Sequence, residues 1–513
     1  MTNSATATAD ADARDLAGFG YPQVLRRGLG GYASFAAGFS FVSILTTVFQ
    51  LFAFGFSFGG AAFFWTWPIV FAGQMMVALC FAELASRYPI SGCIYQWSRR
   101  LSNATFGWFA GWVMLVGQII TISAAAIALQ VVMPSIWSGF QIVGGNPSLA
   151  TSSGASNAVL LGSILITATT IINVLGVRLM ARINSIGVTC ELIGVTLLII
   201  MLFAHSRRGP EAVLHRTGAP SGGYLGLFIV SALMAAYVMV GFDSAGELSE
   251  ETRDPRRTAP KSILRALAVS GLGGGVLLIA AICAAPSLTD GTLGTQGLPY
   301  VLTSRLGTTV GRIFLCDVTV AICVCTLAIH TAATRMMFSM SRDRVLPFGR
   351  VLAAVSPRTG TPILPAVVIG ILAALILVVN LGQAALFTDL TSECIVMLYG
   401  AYLMVTAPML VRRLRGTLRA AEPGMFSLGR WGPIVNGLAV GYGAAMMINL
   451  AWPRTSVYDP AGGHFYLHFF SLLFIAGTLV VGVLAFVRHR YEQQVEPAAE
   501  PAAPELAAAG VQG

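Results

Sequence analysis

The chain has 513 residues, of which 56% are hydrophobic and only 10% charged, with a mean hydropathy of +0.76. A soluble domain carries about 25% charged residues, so the composition excludes a water-soluble fold; the apolar runs are continuous rather than alternating, which excludes a membrane β-barrel. The net charge of +9 comes from basic residues scattered in short loops between those runs, a pattern of membrane topology rather than of a nucleic-acid surface.

Residues 1–30 read as a polar N-terminal segment on the cytoplasmic side. Asp10, Asp12 and Asp15 lie in its first 20 residues, with no basic region ahead of an apolar core, so no signal peptide is expected and the first span directs insertion. A helix needs roughly 20 apolar residues to cross a ~30 Å hydrocarbon core. Runs of that kind predict about twelve spans, at 34–58, 62–85, 104–132, 157–177, 182–204, 224–248, 262–285, 309–338, 363–382, 386–411, 431–452 and 466–487, within a transmembrane domain of residues 31–488. The Ala/Pro/Glu-rich end EPAAEPAAPELAAAGVQG places a disordered cytoplasmic tail at 489–513.

Loop charge tests the count. With the N-terminus inside, the inner loops and ends hold 25 of the 31 Lys and Arg residues, and the outer side keeps Arg207, Arg208, Arg216, Arg305, Arg312 and Arg454. This asymmetry is what the positive-inside rule requires of a multi-pass protein of the plasma (inner) membrane with both termini cytoplasmic. The loop HSRRGPEAVLHR is the exception.

Two spans are ill suited to being straight helices. The first contains GFSFVSILTTVF, with Gly38, Ser40, Ser43, Thr46 and Thr47; the sixth contains VMVGFDSAGELSEE, with Gly241, Asp243, Ser244 and Gly246. Glycine weakens a helix by about 1 kcal/mol relative to alanine, hydroxyl and carboxyl side chains compete for backbone hydrogen bonds, and an intramembrane Asp costs ~2.5–3.5 kcal/mol on insertion scales. Close helix packing accounts for the small residues of span 1 equally well; in span 6 the acid inside the break favours function. Discontinuous helices at matching positions of two repeats form substrate sites in secondary transporters. Spans 1 and 6 are five apart, and an odd repeat turns its second copy upside down. The repeat rests on the breaks and the count, not on internal sequence identity.

Other chemistries find no support. Cys323 and Cys325 point to different helix faces, and the eight cysteines show neither metal-ligand spacing nor a disulfide framework. No phosphate-binding Gly-rich loop with lysine, HExxH pair or nucleophile elbow is present, so an integral-membrane enzyme, the rival from another class, lacks a catalytic constellation. A channel needs a continuous polar face, whereas polarity here gathers at two breaks. No cofactor and no metal are expected.

Four stretches carry a family resemblance: FSFVSILTTVF (39–49), FAELASRYPISGCIYQW (81–97), GFDSAGELSEETRDPRRTAPKSI (241–263), and TRMMFSMSRDRVLPF (334–348) with SPRTGTPILP (356–365). In these the chain resembles the amino acid–polyamine–organocation permeases, and among them the amino acid/choline/GABA-type transporters. The resemblance implies an all-α polytopic fold of two inverted five-helix repeats plus two extra helices, with helices 1 and 6 broken, and solute transport by alternating access.

It also implies roles. Backbone amides around Leu45, Thr46 and Thr47 would take a substrate carboxylate, with Ser43 and Ile44 ending the preceding half-helix; the family's break is commonly glycine-rich, whereas here it reads SILTT. Gly241 to Ala245, including Ser244, would be the unwound middle of span 6. Carbonyls near Gly241 and Phe242 suit an ammonium, Phe242 sits where the family uses an aromatic lid, and cation–π attraction there is worth ~0.5–2 kcal/mol. Asp243 would bind an amine or orient the break. Glu247, Glu250, Glu251 and Asp254 would form a gate and loop with Arg253, Arg256 and Arg257, pairing with cations or capping the next helix. Tyr399 and Tyr402 are candidate gate aromatics.

Glu191, among apolar neighbours in span 5, is a second buried acid, and desolvation disposes a carboxyl in hydrocarbon to carry a proton. Some family members place a lysine at the similar position, in the place of a coupling sodium ion; the glutamate shares the location, not the chemistry. Proton coupling, a structural hydrogen bond and contact with a cationic substrate are all open to it. His330 is expected to be structural, and Asp317 and Glu393 are undecided. The expected function is a secondary active transporter that imports an amino acid or GABA-like amine with protons. The alternatives are a choline or polyamine permease, sodium coupling, or an uncoupled exchanger.

Overall fold

The computed structural model describes residues 12–289, 291–379, 381–382, 386–458 and 465–495. Among them ten helices are long and apolar enough to cross a membrane, and two shorter apolar helices complete the expected twelve spans. Span 1 is Gly31–Gly59 and span 2 Ala61–Arg87; spans 3 to 5 are Ala104–Ile136, Ser152–Leu175 and Val177–Ala204. Span 6 begins as Tyr224–Val238 and ends in the single turn Ser244–Glu247. Spans 7 to 9 are Pro255–Ala284, Thr292–Arg342 and Ile363–Val379; spans 10 to 12 are Leu386–Leu414, Gly432–Ala451 and Phe470–Val495. A further helix, Cys93–Leu101, joins spans 2 and 3.

Several boundaries depart from the sequence reading. Spans 4, 5 and 7 begin at Ser152, Val177 and Pro255, ahead of the expected 157, 182 and 262. The stretch Thr292–Arg342 is not one helix: Gly297 and Gly307 have non-helical backbone with positive φ, so the spanning part of span 8 begins just after Gly307, next to the expected 309. The last helix continues to Val495, past the expected start of the tail at 489; residues 496–513 lie outside the described residues.

Packing repeats at an offset of five. Span 3 packs on span 10 as span 8 packs on span 5, span 3 on 4 as span 8 on 9, and span 4 on 8 as span 9 on 3; spans 1 and 6, 2 and 7, 3 and 8, and 4 and 9 pack on each other. Because five is odd, the second set runs through the bilayer in the opposite sense. Span 11 rests on spans 2 and 10, and span 12 on spans 3 and 10. In an apolar 18-residue stretch of each helix, 89% of residues are buried in spans 1 and 3 but only 11% in span 12, so the broken helix lies at the centre and span 12 at the lipid edge. Exposed residues on spans 4 and 5, such as Ile164, Ile171, Ile193, Leu197 and Ile200, are large and apolar, as a lipid-facing surface must be.

On the face that holds the N-terminal segment, buried charges are matched. Arg335 donates to both oxygens of Glu251, and Arg342 to both of Glu250; Glu83 is held between Arg87 and Arg413. On the opposite face Arg208 donates to the carbonyls of Ile282 and Ala285. It caps the C-terminus of span 7, which accounts for a basic loop on the side where few cations are expected. Removing one partner of a buried ion pair strands the other charge. Glu251→Ala, which leaves the Arg335 guanidinium alone at 1% exposure, is expected to lower stability by about 3–5 kcal/mol, read as a fall in the melting temperature of the detergent-purified protein.

Candidate functional site

Span 1 breaks at one residue. The first half ends at Val42, Ser43 adopts φ 36° and ψ 102°, and the second half begins at Ile44. A non-glycine residue at positive φ costs about 1–3 kcal/mol, and Ser43 offsets this with its side chain. The Ser43 hydroxyl accepts the Thr46 amide at 3.4 Å, lies 2.7 Å from the Thr46 hydroxyl, and donates to Glu191 Oε1 at 2.9 Å. Ser43 and Ile44, expected to end the first half, therefore fall at the break itself and at the start of the second half: the serine cap closes the next turn at once.

The three amides assigned to a substrate carboxylate are engaged. Leu45 N–H donates to Glu191 Oε1 at 3.0 Å, Thr46 N–H to the Ser43 hydroxyl, and Thr47 N–H to the Ser43 carbonyl at 3.1 Å. Glu191 is 1% exposed, and its second oxygen, Oε2, has no partner among the described residues. A carboxylate of span 5 thus sits on the positive end of a half-helix of span 1.

Span 6 unwinds over a longer stretch. Its first half ends at Val238, and helical structure resumes at Ser244. Gly241 has φ 91°, and the Phe41 ring of span 1 fills the space a Cβ would need, 1.7 Å away; only glycine meets both conditions. Side chains of other spans take up the released backbone. The Tyr402 hydroxyl accepts the Gly241 amide at 2.8 Å and donates to Asp243 Oδ1. Gln74 of span 2 donates to the Met239 carbonyl at 3.0 Å, and Tyr399 to the Ala236 carbonyl at 3.5 Å. The Gly241 carbonyl accepts the Ser244 amide, and the Ser244 hydroxyl donates to Ala37 of span 1. The break of span 6 therefore packs on the end of the first half of span 1, just ahead of Ser43.

Phe242 is fully buried between Phe81 and Tyr402, with ring centroids 5.9 and 5.4 Å away. Ala245 packs near Gly38, and the second oxygen of Asp243 has no partner among the described residues. Tyr402 thus acts at the break through its hydroxyl rather than as a bare ring. Tyr399 meets Tyr442 of span 11 at 2.9 Å.

The acids after the break do not turn to the adjacent Arg253, Arg256 and Arg257. Glu247 accepts the Gly92 amide at 2.9 Å and Glu250 the Ser91 amide at 3.1 Å, at the start of helix Cys93–Leu101; Glu250 and Glu251 also take the arginines of span 8 described above. Asp254 stands at the N-cap of span 7 with φ 44° but makes no side-chain cap bond. The N-terminal segment crosses this seam. The Tyr21 hydroxyl donates to Asp343 at 2.8 Å, its ring lies 3.9 Å from the Arg342 guanidinium, and Asp15 pairs with Arg256. Tyr95 and Arg99 reach the same Asp343. Burial, reinforced by the Asp343 charge, pushes the Tyr21 and Tyr95 hydroxyls up, so both stay protonated donors.

His330 is enclosed between Thr169 Oγ1 at 3.1 Å and the Ala366 carbonyl at 2.9 Å, a structural place. Asp317 faces Gly194 across the seam of spans 5 and 8, and Glu393 accepts from Ser471 of span 12. Gln74, Arg335, Arg342, Asp343 and Tyr21 were not singled out from the sequence. For Gln74 the signal was a lone amide in an apolar run; for Arg335, Arg342 and Asp343 it was the charged residues of TRMMFSMSRDRVLPF.

Two broken helices in contact, each stitched to other spans and lined by acids, define a secondary-transporter core. A family model described as amino acid permease matches residues 29–475, and the chain belongs to that family. It is 28% identical over 446 residues to amino-acid permease BAT1 of Arabidopsis thaliana, covering 82% of this chain and 84% of that protein. To the BAT1 homolog of rice (Oryza sativa subsp. japonica) it is 27% identical over 468 residues, 85% and 86% covered. To amino-acid permease 2 of Neurospora crassa it is 25% identical over 494 residues, 92% and 88% covered. The protein is a multi-pass membrane transporter for amino acids, and not an enzyme.

Tyr402→Phe removes one hydroxyl that serves both Gly241 and Asp243. The stranded amide costs about 1–3 kcal/mol; transport is expected to fall several-fold with surface expression retained, measured by uptake per molecule at the membrane.

Proposed function

We propose that the protein imports an amino acid or a GABA-like amine together with protons, by alternating access across a plasma membrane with both termini in the cytoplasm. The observation that carries this reading is the packing of the span 6 break against span 1 just ahead of Ser43, with Asp243 at one break and Glu191 at the other, each holding an oxygen that no described residue satisfies. Asp243 and the unwound stretch Gly241–Ala245 bind the ammonium end of the substrate, and Phe242 closes over it. The positive end of the second half of span 1, at Leu45–Thr47, receives the carboxylate. Glu191 carries the coupled proton. Tyr402 and Tyr399 hold span 6 in its unwound form and release it as the bundle rocks. The pairs of Glu250 and Glu251 with Arg342 and Arg335 close the cytoplasmic side.

A second reading draws on one observation. Glu191 already occupies the Leu45 amide, which suits an amine that brings no carboxylate, such as choline or a polyamine.

Purified protein in liposomes, offered radiolabelled amino acids, GABA, choline and polyamines with and without an imposed pH gradient, tests both. Uptake of amino acids or GABA driven by an inward proton gradient is expected; uptake indifferent to the gradient rules out symport, and uptake of choline or polyamines alone selects the second reading. Asp243→Asn is expected to abolish transport while expression persists; an unchanged rate would remove Asp243 from the site. Glu191→Gln is expected to make uptake insensitive to pH, and a normal pH profile in that variant would relieve Glu191 of the proton.

A further inference from the structure

Glu191 already does what a bound carboxylate would do. Its Oε1 takes the Leu45 amide and the Ser43 hydroxyl at the N-terminus of a 16-residue half-helix, and the Ile44 amide faces the same group. The next two amides are spent on Ser43. Glu191 therefore holds the position an α-carboxylate needs, and it is gripped through one oxygen only, with Oε2 buried and unpartnered among the described residues. A second anion at hydrogen-bond distance from the same amide would meet a like charge in a medium that screens little.

We propose that Glu191 is an intramolecular competitor for the carboxylate subsite: the Glu191 carboxylate and the carboxylate of the transported solute hold the Leu45 amide in turn, and a proton taken up by Glu191 is what surrenders it. The proposal deepens the reading of the breaks as the substrate site and rests on it. The exchange balances. A proton from water bonds to a Glu191 oxygen, the Leu45 N–H···Oε1 bond is given up, and the same N–H bonds to the solute carboxylate. When the solute leaves, Glu191 releases its proton and returns to Leu45. The subsite carries one negative charge throughout, so one proton accompanies each carboxylate.

The surroundings permit this. Spans 1, 4, 7 and 8 pack on span 5. Span 8 presents Asp317 and Cys325 towards Glu191. Span 4 has no titratable residue, and span 1 has only Tyr32, bonded to Thr189. The cations of span 5, Arg178 and Arg182, and those of span 7, Arg256, Arg257, Lys261 and Arg265, lie in the halves of those helices nearest the N-terminal face; span 7 otherwise has Cys283, and span 5 Cys190. No described cation is bonded to Glu191 to hold it ionised.

The test is equilibrium binding to the full-length detergent-purified protein over about pH 5–8. Alanine, lysine and GABA are compared with their carboxylate-free counterparts ethylamine, cadaverine and propylamine. In the wild type the affinity for the carboxylate-bearing ligands is expected to weaken by up to about tenfold per pH unit. In Glu191→Gln that slope vanishes, and the amines show none in either protein. An infrared difference spectrum of the wild type on adding the bound amino acid is expected to gain a protonated-carboxyl band; this measurement stands even if the variant fails to fold. A slope that persists in Glu191→Gln, a slope shared by the amines, or a spectrum without the band overturns the competition. Amino acid binding with no pH slope overturns it while leaving the amino acid reading of the site intact; binding of amines alone overturns both the competition and that reading, and leaves the carboxylate-free alternative.

Discussion

A peptide group released from a helix inside a bilayer must find a partner within the protein, since hydrocarbon offers none. The centre of this molecule is organised by that requirement. At span 1 the Leu45 amide is met by a carboxylate from span 5; at span 6 the Gly241 amide and the Met239 carbonyl are met by a tyrosine of span 10 and a glutamine of span 2. The same device recurs beyond the break, where Glu247 at the end of span 6 takes the Gly92 amide and Glu250 just after it the Ser91 amide, at the start of helix Cys93–Leu101. Each break is therefore also a fastening. Unwinding a helix here ties it to spans far away in sequence, and any movement of spans 1 or 6 must exchange those ties for others.

The amino acid permease family supplies the context for such exchange. A solute with an ammonium and a carboxylate carries both kinds of partner that unwound backbone wants, one for freed carbonyls and one for freed amides. In this structure the protein's own groups play those parts: Tyr402 and Gln74 at span 6, Glu191 and Ser43 at span 1. Gly241 is indispensable on two counts, its positive φ and the Phe41 ring against its α-carbon. That ring fixes how closely the two breaks approach.

The spans were legible because each is a local property, an apolar run of sufficient length that declares itself without its neighbours. A helix stands at each of the twelve expected places among the described residues, several starting a turn or two early, and both breaks fall in the stretches where glycine, hydroxyl and acid residues interrupt hydrocarbon. What was not legible is pairing at a distance. Glu191 and Leu45 are 146 positions apart, and nothing in either stretch names the other. Glu250 and Glu251 stand beside three arginines in sequence, yet bond to Arg342 and Arg335 of span 8. Proximity along the chain favoured the wrong cations, because the turn after span 6 directs its acids inward while span 7 carries its arginines away. The single-residue break at Ser43 was also hidden, since its brevity depends on one hydroxyl closing the next turn. The basic loop HSRRGPEAVLHR looked anomalous in part because charge counting cannot see that Arg208 is spent on the carbonyls of span 7.

The seal beneath the breaks has a kinetic corollary. Glu250, Glu251 and Arg335 are buried, Arg342 is nearly so, and the four are matched one to one; such ions part only when water arrives to solvate them. If this side opens as proposed, opening would be a wetting event rather than the swing of one aromatic flap. It would be concerted, because hydrating one pair alone leaves its neighbour stranded in a dry crevice, and its frequency would be set by how readily a column of solvent can invade beside span 8.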